Sequence, residues 1–204
     1  MATNSATPTI SSSRPPSQND IGTIPAATQA KGVSKKEYGE GALRQTVFTL
    51  SGTVIDSTDN GASGAYGSLQ LLDLPEGHIG FYGAVTDFTS VTVGAGIPAT
   101  EVLLHSLGTA AEATGTTLDS TQANVLPSTS LTLAASTGAV GGVNTAVAFV
   151  DGTATAADLF LNFATDGDST ANTTITVNGT IIVTWALLGN NYSDPPRGNA
   201  GRFL

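Results

Sequence analysis

Thr173-Thr-Ile-Thr-Val-Asn-Gly-Thr-Ile-Ile-Val-Thr-Trp-Ala-Leu187 alternates along almost its whole length. Ile175, Val177, Ile181, Val183 and Trp185 share one parity, and Thr174, Thr176, Asn178, Thr180 and Thr184 share the other. Successive side chains of a strand point to opposite faces, so this is a strand with one core face and one wet face. At roughly 3.3 Å per residue it would run about 45 Å, longer than most strands, unless Asn178-Gly179 bends or bulges it. Such a ribbon needs pairing partners on both edges and a second apolar layer beneath it.

The partners are sought upstream. Thr46-Val-Phe-Thr-Leu-Ser-Gly-Thr-Val-Ile55 reads as the first strand, with Phe48, Leu50 and Val54 on one parity, and Asp56 to Gly61 is dense in turn formers. Gly67 to Leu74 is a second strand, stopped by the turn Pro75-Glu76-Gly77. His78 to Thr86 follows with Ile79, Phe81 and Val85 on one face, and Thr89 to Gly94 is a short strand with Val91 and Val93 inward. Ile97 to Leu107 carries both a helix-start signal at Thr100-Glu101 and a glycine-bounded β pattern; the β context favours a strand. Leu131 to Ala135, Thr145 to Val150 and Asp158 to Ala164 complete the set. The expectation is an all-β fold, a single β-sandwich or jelly roll of about 8–10 strands over residues 45–190, because no helical period recurs between strands.

Residues 1–44 are rich in Ser, Thr, Pro, Gln and Asn and show no sustained period. They read as an extended or disordered N-terminal arm, since such a segment buries too little apolar surface to offset its ordering entropy alone. Its isolated apolar residues, Ile10, Ile21, Ile24 and Val33, suit pegs in a partner's grooves. Residues 191–204 read as a short C-terminal tail.

Charge is distributed more tellingly than the formal −9 suggests. Residues 1–44 hold 5 basic and 3 acidic groups, residues 45–196 hold 0 and 13, and residues 197–204 hold 2 and 0. The basic residues are Arg14, Lys31, Lys35, Lys36 and Arg44 at one end and Arg197 and Arg202 at the other. An acidic body with basic ends predicts attraction between the ends of one molecule and the body of another. A body without Lys or Arg has nothing to neutralise phosphates, so no nucleic-acid partner is expected. No run approaches the ~20 apolar residues of a membrane-spanning helix, and no secretory signal pattern opens the chain, so neither a membrane partner nor a secretory route is expected. The sequons at Asn172, Asn178 and Asn191 then read as accidents of a Thr-rich sequence.

Little in the sequence points to catalysis. Cysteine is absent, and His78 and His105 stand without a nucleophile-elbow pattern. His78 reads as a solvated strand-end residue, His105 as a half-buried structural one, and Trp185 as a core anchor. Asp166-Gly-Asp168 and Asp56-Ser-Thr-Asp59-Asn60 are oxygen-rich, but neither follows the spacing of a calcium loop, and both read as turns. No enzyme activity, cofactor or metal is expected.

The segments Leu72-Asp-Leu-Pro-Glu-Gly-His-Ile79 with Gly83-Ala84, Leu107-Gly-Thr-Ala-Ala111, Asp151-Gly-Thr153 with Leu161-Asn162, and Val177-Asn-Gly-Thr-Ile181 give the body a likeness. It resembles the jelly-roll head decoration or cement proteins of tailed bacteriophages. That resemblance implies a structural virion protein, made in the bacterial cytoplasm, that binds the outer capsid surface as a symmetric oligomer. Its partners would be the major capsid protein and other copies of itself, as a homodimer or homotrimer. On this reading Arg14, Ile21, Ile24, Lys31, Lys35, Lys36, Arg44, Arg197 and Arg202 are the contact residues. The alternative is a receptor- or carbohydrate-binding module of a phage tail or bacterial surface, which needs exposed aromatics or a calcium-bearing loop.

Overall fold

The structure, a computed structural model, describes residues 22–39, 43–114, 117–132, 143–144 and 147–189. One short helix, α1 (Ala26–Ala30), precedes ten strands: β1 (Val33–Tyr38), β2 (Leu43–Asp59), β3 (Ala65–Asp73), β4 (Gly77–Val93), β5 (Val102–Gly108), β6 (Leu126–Thr132), β7 (Val143–Asn144), β8 (Ala148–Gly152), β9 (Asp158–Thr165) and β10 (Thr173–Gly189). The fold is all-β, as expected. Its pairings nest: β5 with β6, β4 with β8, β3 with β9 and β2 with β10, all antiparallel. A long hairpin is thus rolled up so that its strands alternate between two layers, which is the jelly-roll arrangement. One layer, the broad sheet, runs β1-β2-β10-β4 with β7 and β8 both on the far edge of β4; the other, the narrow sheet, runs β3-β9-β5-β6. β2 serves both, since Thr58 and Asp59 at its end pair with Tyr66 and Ala65 of β3.

The core lies between the layers. Phe48, Ile55, Phe81 and Phe88 enter it from the broad sheet, and Leu71, Leu103, Leu107 and Phe163 from the narrow one. Phe88 sits 5.1 Å from the His105 ring and 6.3 Å from the Phe163 ring, so the two layers meet through aromatic contact.

β10 is flanked on both sides, and all five residues expected in its core face are buried. Trp185 donates its Nε1–H to the Thr46 hydroxyl at 2.9 Å, so the indole is buried with its polar atom satisfied. The irregularity expected at Asn178-Gly179 is present, but the extra residues lie in the neighbours. Val177 faces Thr53 and Gly179 faces Leu50, so β2 spends one residue more than β10; Asn178 faces Ser90 and Gly179 faces Phe88, so β4 does the same. A second surplus residue, Tyr82, lies where Thr184 and Trp185 face Gly83 and Phe81. Asn178 binds at both of the first two bulges, accepting from the Gly52 N–H at 2.6 Å and donating to Ser90 Oγ at 3.0 Å.

Each bulge shifts the inward parity. On β2 the buried set passes from Phe48 and Leu50 to Thr53, Ile55 and Ser57, leaving Val54, expected inside, exposed. On β4 it passes from Ile79 and Phe81 to Ala84, Thr86 and Phe88, then to Val91, so Val85 faces outward instead of joining Ile79 and Phe81. The two strands expected at 78–86 and 89–94 are one strand of 17 residues.

The largest correction concerns the arm. Residues 22–39 belong to the sandwich: Thr23 bridges Asp73, the Thr28 hydroxyl donates to the Gln70 carbonyl at 2.6 Å, and β1 pairs with β2 from Val33↔Leu50 to Tyr38↔Gln45. The segment crosses from β3 of one layer to β2 of the other and closes that side of the core with Ile24 and Val33. Composition does not reveal this, because Val33-Ser-Lys-Lys-Glu-Tyr38 buries little and is held by backbone pairing.

Candidate interaction surface

Of the nine expected contact residues, Arg14, Ile21, Arg197 and Arg202 lie outside the described residues. Ile24 is a core residue of its own chain and is not available as a peg. Lys31 Nζ meets Asp56 Oδ2 at 3.0 Å. Lys35 donates to the Gly22 carbonyl and to Glu37 Oε2 at 3.1 Å, and buried Arg44 reaches Glu37 Oε1 at 3.3 Å. These three cations hold the N-terminal segment against the sheet. Lys36 is exposed, on the outer side of β1 opposite Val47. Where residues 22–24 pass β1, an open cleft of about 630 Å³ is bordered by Thr23, Ile24, Gln29, Val33 and Lys35.

The histidines have structural surroundings. His105 is fully buried, not half-buried: its Nε2 lies 2.8 Å from Thr86 Oγ1 on the opposite layer, and its Nδ1 lies 3.0 Å from the Thr129 carbonyl on β6. A carbonyl only accepts, so Nδ1 carries the proton and Nε2 accepts from Thr86. Burial pulls its pKa down to about 4, against the opposing pull of the Thr129 carbonyl. His78 is half-exposed near the start of β4, 3.6 Å from Asp151.

The oxygen-rich loops bind their own chain. Asp59 Oδ1 accepts from Gly61 N–H at 2.9 Å and from the Ser169 hydroxyl, and these bonds lower its pKa. Asp151 accepts the hydroxyl and N–H of Thr153, which likewise lower its pKa. Asn172 accepts the Asp59 N–H at 2.8 Å. Among the described residues no three His, Cys, Asp or Glu side chains converge as a metal site, and no helix is long and apolar enough to cross a membrane.

The outer faces of the two sheets differ. On the narrow sheet, the loop after β5 folds back and is pinned by Asn162. Its Nδ2 donates to the Ala110 and Gln122 carbonyls at 3.0 and 2.9 Å, while its Oδ1 accepts from Ser68 Oγ at 2.6 Å and Glu112 N–H at 3.0 Å. Outward-pointing Ser106, Asn162 and Ala164 are therefore buried. Glu112 is buried too, its Oε1 accepting from the Ala113 and Thr114 N–H groups and the Thr114 hydroxyl.

No such cover lies on the middle of the broad sheet among the described residues. Its outward rows read Val47–Ile182–Val85 and Gln45–Thr184–Gly83, then Leu43–Ala186–Gly80–Phe149. None of these residues carries a charge. The charged groups stand at the margins: Lys36 on β1, Asp87 one row further along, and His78 with Asp151 at the end. The apolar content rises toward the end of β10, where Phe149 is 69% exposed, Leu43 52% and Leu188 48%. Tyr82 and Leu188 lie over Gly80, each with an atom 3.2 Å from where a first side-chain carbon would stand.

The sequence reading flagged the uncharged Thr face of β10 but not its apolar extension. Tyr82 is a bulge residue, and Ala148-Phe-Val150 is apolar at both parities, so alternation alone does not separate the outward Phe149 from its inward neighbours. Compared with known proteins, the chain matches no family model and no curated protein.

Proposed function

We propose that this chain is a structural virion protein that binds the outside of a phage capsid and reinforces it through contacts with capsid subunits and other copies of itself. The observation that carries the reading is the pair of unlike faces: one outer face covered by the chain's own loop, the other left open by the described residues, with an uncharged, partly apolar middle. Such a surface is suited to protein contact, because interface centres are depleted in charge and enriched in aromatic residues. The jelly roll supports the reading by analogy, being a frequent scaffold of viral shells, and the sequence resemblance points the same way. The mechanism is added buried area: many copies, each burying a standard-size interface of roughly 1,600 Å², raise the barrier to opening a shell with no bond chemistry.

Immunogold labelling of virions from the source of this sequence tests the assignment. Gold over intact heads is expected; virions that carry none of this chain overturn it. Tyr82 and Phe149, exposed on the open face, favour a second reading as a carbohydrate-binding module. Retention on a glycan array, lost on Phe149→Ala, would support that instead.

A further inference from the structure

We propose that the open face of the broad sheet is a self-association surface, where a second copy packs face to face about a two-fold axis running along β10. This deepens the reading of that face as an assembly surface, but it does not require that the assembly sit on a capsid.

Charge selects the occupant. Residues 22–189 hold 14 carboxylates against four Lys or Arg, three of them engaged by the chain's own groups, so copies of this body repel one another wherever their acidic surfaces meet. An isologous contact sets each patch against the same patch, and therefore needs a surface without a one-signed charge at its centre. The middle of the broad sheet meets that condition along three successive rows of paired residues. A basic protein partner would be drawn to the carboxylates elsewhere and would gain nothing from this face. Five strands at about 4.8 Å spacing, over the four rows from Leu43 to Thr49, the last of which carries Asp87 at its side, make a flat patch of roughly 20 by 20 Å, about half of what one partner contributes to a standard-size interface, so the margins must supply the rest.

The order β1-β2-β10-β4-β8 puts β10 third of five, so an axis along it brings Thr184 of one copy to Thr184 of the other. The same axis carries the β8 side of one copy onto the β1 side of its partner. Phe149 then packs near Tyr38 and Leu43 across the interface, and Lys36 faces the side that carries Asp87. Aligned packing of two sheets, with side chains interdigitating about 10 Å apart, is an ordinary way to bury such faces.

The absence of cysteine makes the test clean. Sedimentation equilibrium of the full chain is expected to give two copies. Phe149→Glu should weaken the association at least tenfold with unchanged far-ultraviolet circular dichroism, since Phe149 is mostly exposed. Thr184→Cys should cross-link to a dimer on oxidation, whereas Ser63→Cys, on a turn away from the face, should not. A monomer at every concentration overturns the proposal and leaves the chain's own tail or a foreign protein as the cover. A trimer, or a dimer indifferent to Phe149→Glu, also overturns it. Self-association by a chain missing from virions would sink the capsid reading and leave this one standing.

Discussion

The Thr86 hydroxyl and His105 Nε2 meet at 2.8 Å between the two layers, a polar tie across a largely apolar core. The neutral imidazole fits there because Thr86 donates to one nitrogen and the Thr129 carbonyl receives the proton of the other. Protonation would put a second N–H against Thr86 and a charge into the core.

Stability is therefore expected to fall as pH drops from about 6.5 to about 4. The folded-state pKa of His105 is depressed from 6.5 to about 4, so within that window the unfolded chain binds the proton and the folded chain does not. Above 6.5 both states are neutral and the residue adds no pH dependence; below 4 the loss is complete, at roughly 3 kcal/mol by linkage. Asp59 and Asp151, with lowered pKa values, lose their contributions below the ordinary carboxylate range and so outside this window. Calorimetry from pH 7 to pH 4 checks the slope, and His105→Gln should flatten it while lowering Tm at pH 7.

Gly179 and Gly52 should respond very differently to alanine. Gly179 has φ +145°, and a Cβ there would stand 2.3 Å from the Asp87 carbonyl oxygen and 2.6 Å from Phe88 Cα. Backbone cannot yield as a side-chain tip can, so Gly179→Ala should cost about 3 kcal/mol or more. Gly52 has φ +60° with open space around it, so Gly52→Ala should cost only about 1 kcal/mol and Gly52→Asn less. Urea denaturation of the three variants ranks them; equal losses would show that the bulges are not pinned by Gly179.

Asn162→Ala should release the loop from the narrow sheet. Four hydrogen bonds end on this one buried amide, and its removal strips the Ala110 carbonyl of that donor, while the Gln122 carbonyl keeps only Ser106 Oγ and the Glu112 N–H keeps Ser68 Oγ. A loss of about 2–3 kcal/mol is expected. Hydrogen exchange should accelerate first at residues 109–114 and 121–124, ahead of β10. Uniform acceleration would mean that the loop and the sheet open together.

Asp158→Asn should stabilise the protein slightly at neutral pH. Asp158 pairs with Asp73 across β9 and β3, and burial together with the Asp73 carboxylate raises its pKa. A raised folded-state value means that ionisation costs the fold, so the neutral variant should be slightly more stable near pH 7, a gain that solvent screening keeps small at this partly exposed site, and the gain should shrink in acid as Asp158 protonates.

The reach of the sequence can be traced strand by strand. β10 was readable from Thr173 to Trp185 because its own alternation holds there: the extra residues beside that stretch sit on β2 and β4, and its own surplus residue, Leu188, comes only at its end. On those two, Val54 and Val85 were read as inward but face out, although Val91 was placed correctly, since a bulge shifts parity without any change in composition at the shifted residues. β1 was missed because pairing with β2, which no local pattern records, supplies what its few apolar side chains do not. The open face was half legible. Its Thr row was plain in β10, whereas Tyr82, Leu43 and Phe149 come together only through the pairings of β4, β2 and β8.

The nested pairing also has a consequence for the order of events in folding. β2 and β4, each 17 residues long, do not touch as neighbours in the broad sheet; the strand between them begins at residue 173. As the chain emerges during synthesis, both long strands wait with unpaired inner edges for a partner more than 80 residues downstream of β4. Contacts so distant in sequence form slowly, and open edges of this length invite pairing with another chain in the interval. The broad sheet is thus closed from its middle by the last strand to arrive, and a chain stopped short of residue 173 would keep two sticky margins and no means of joining them.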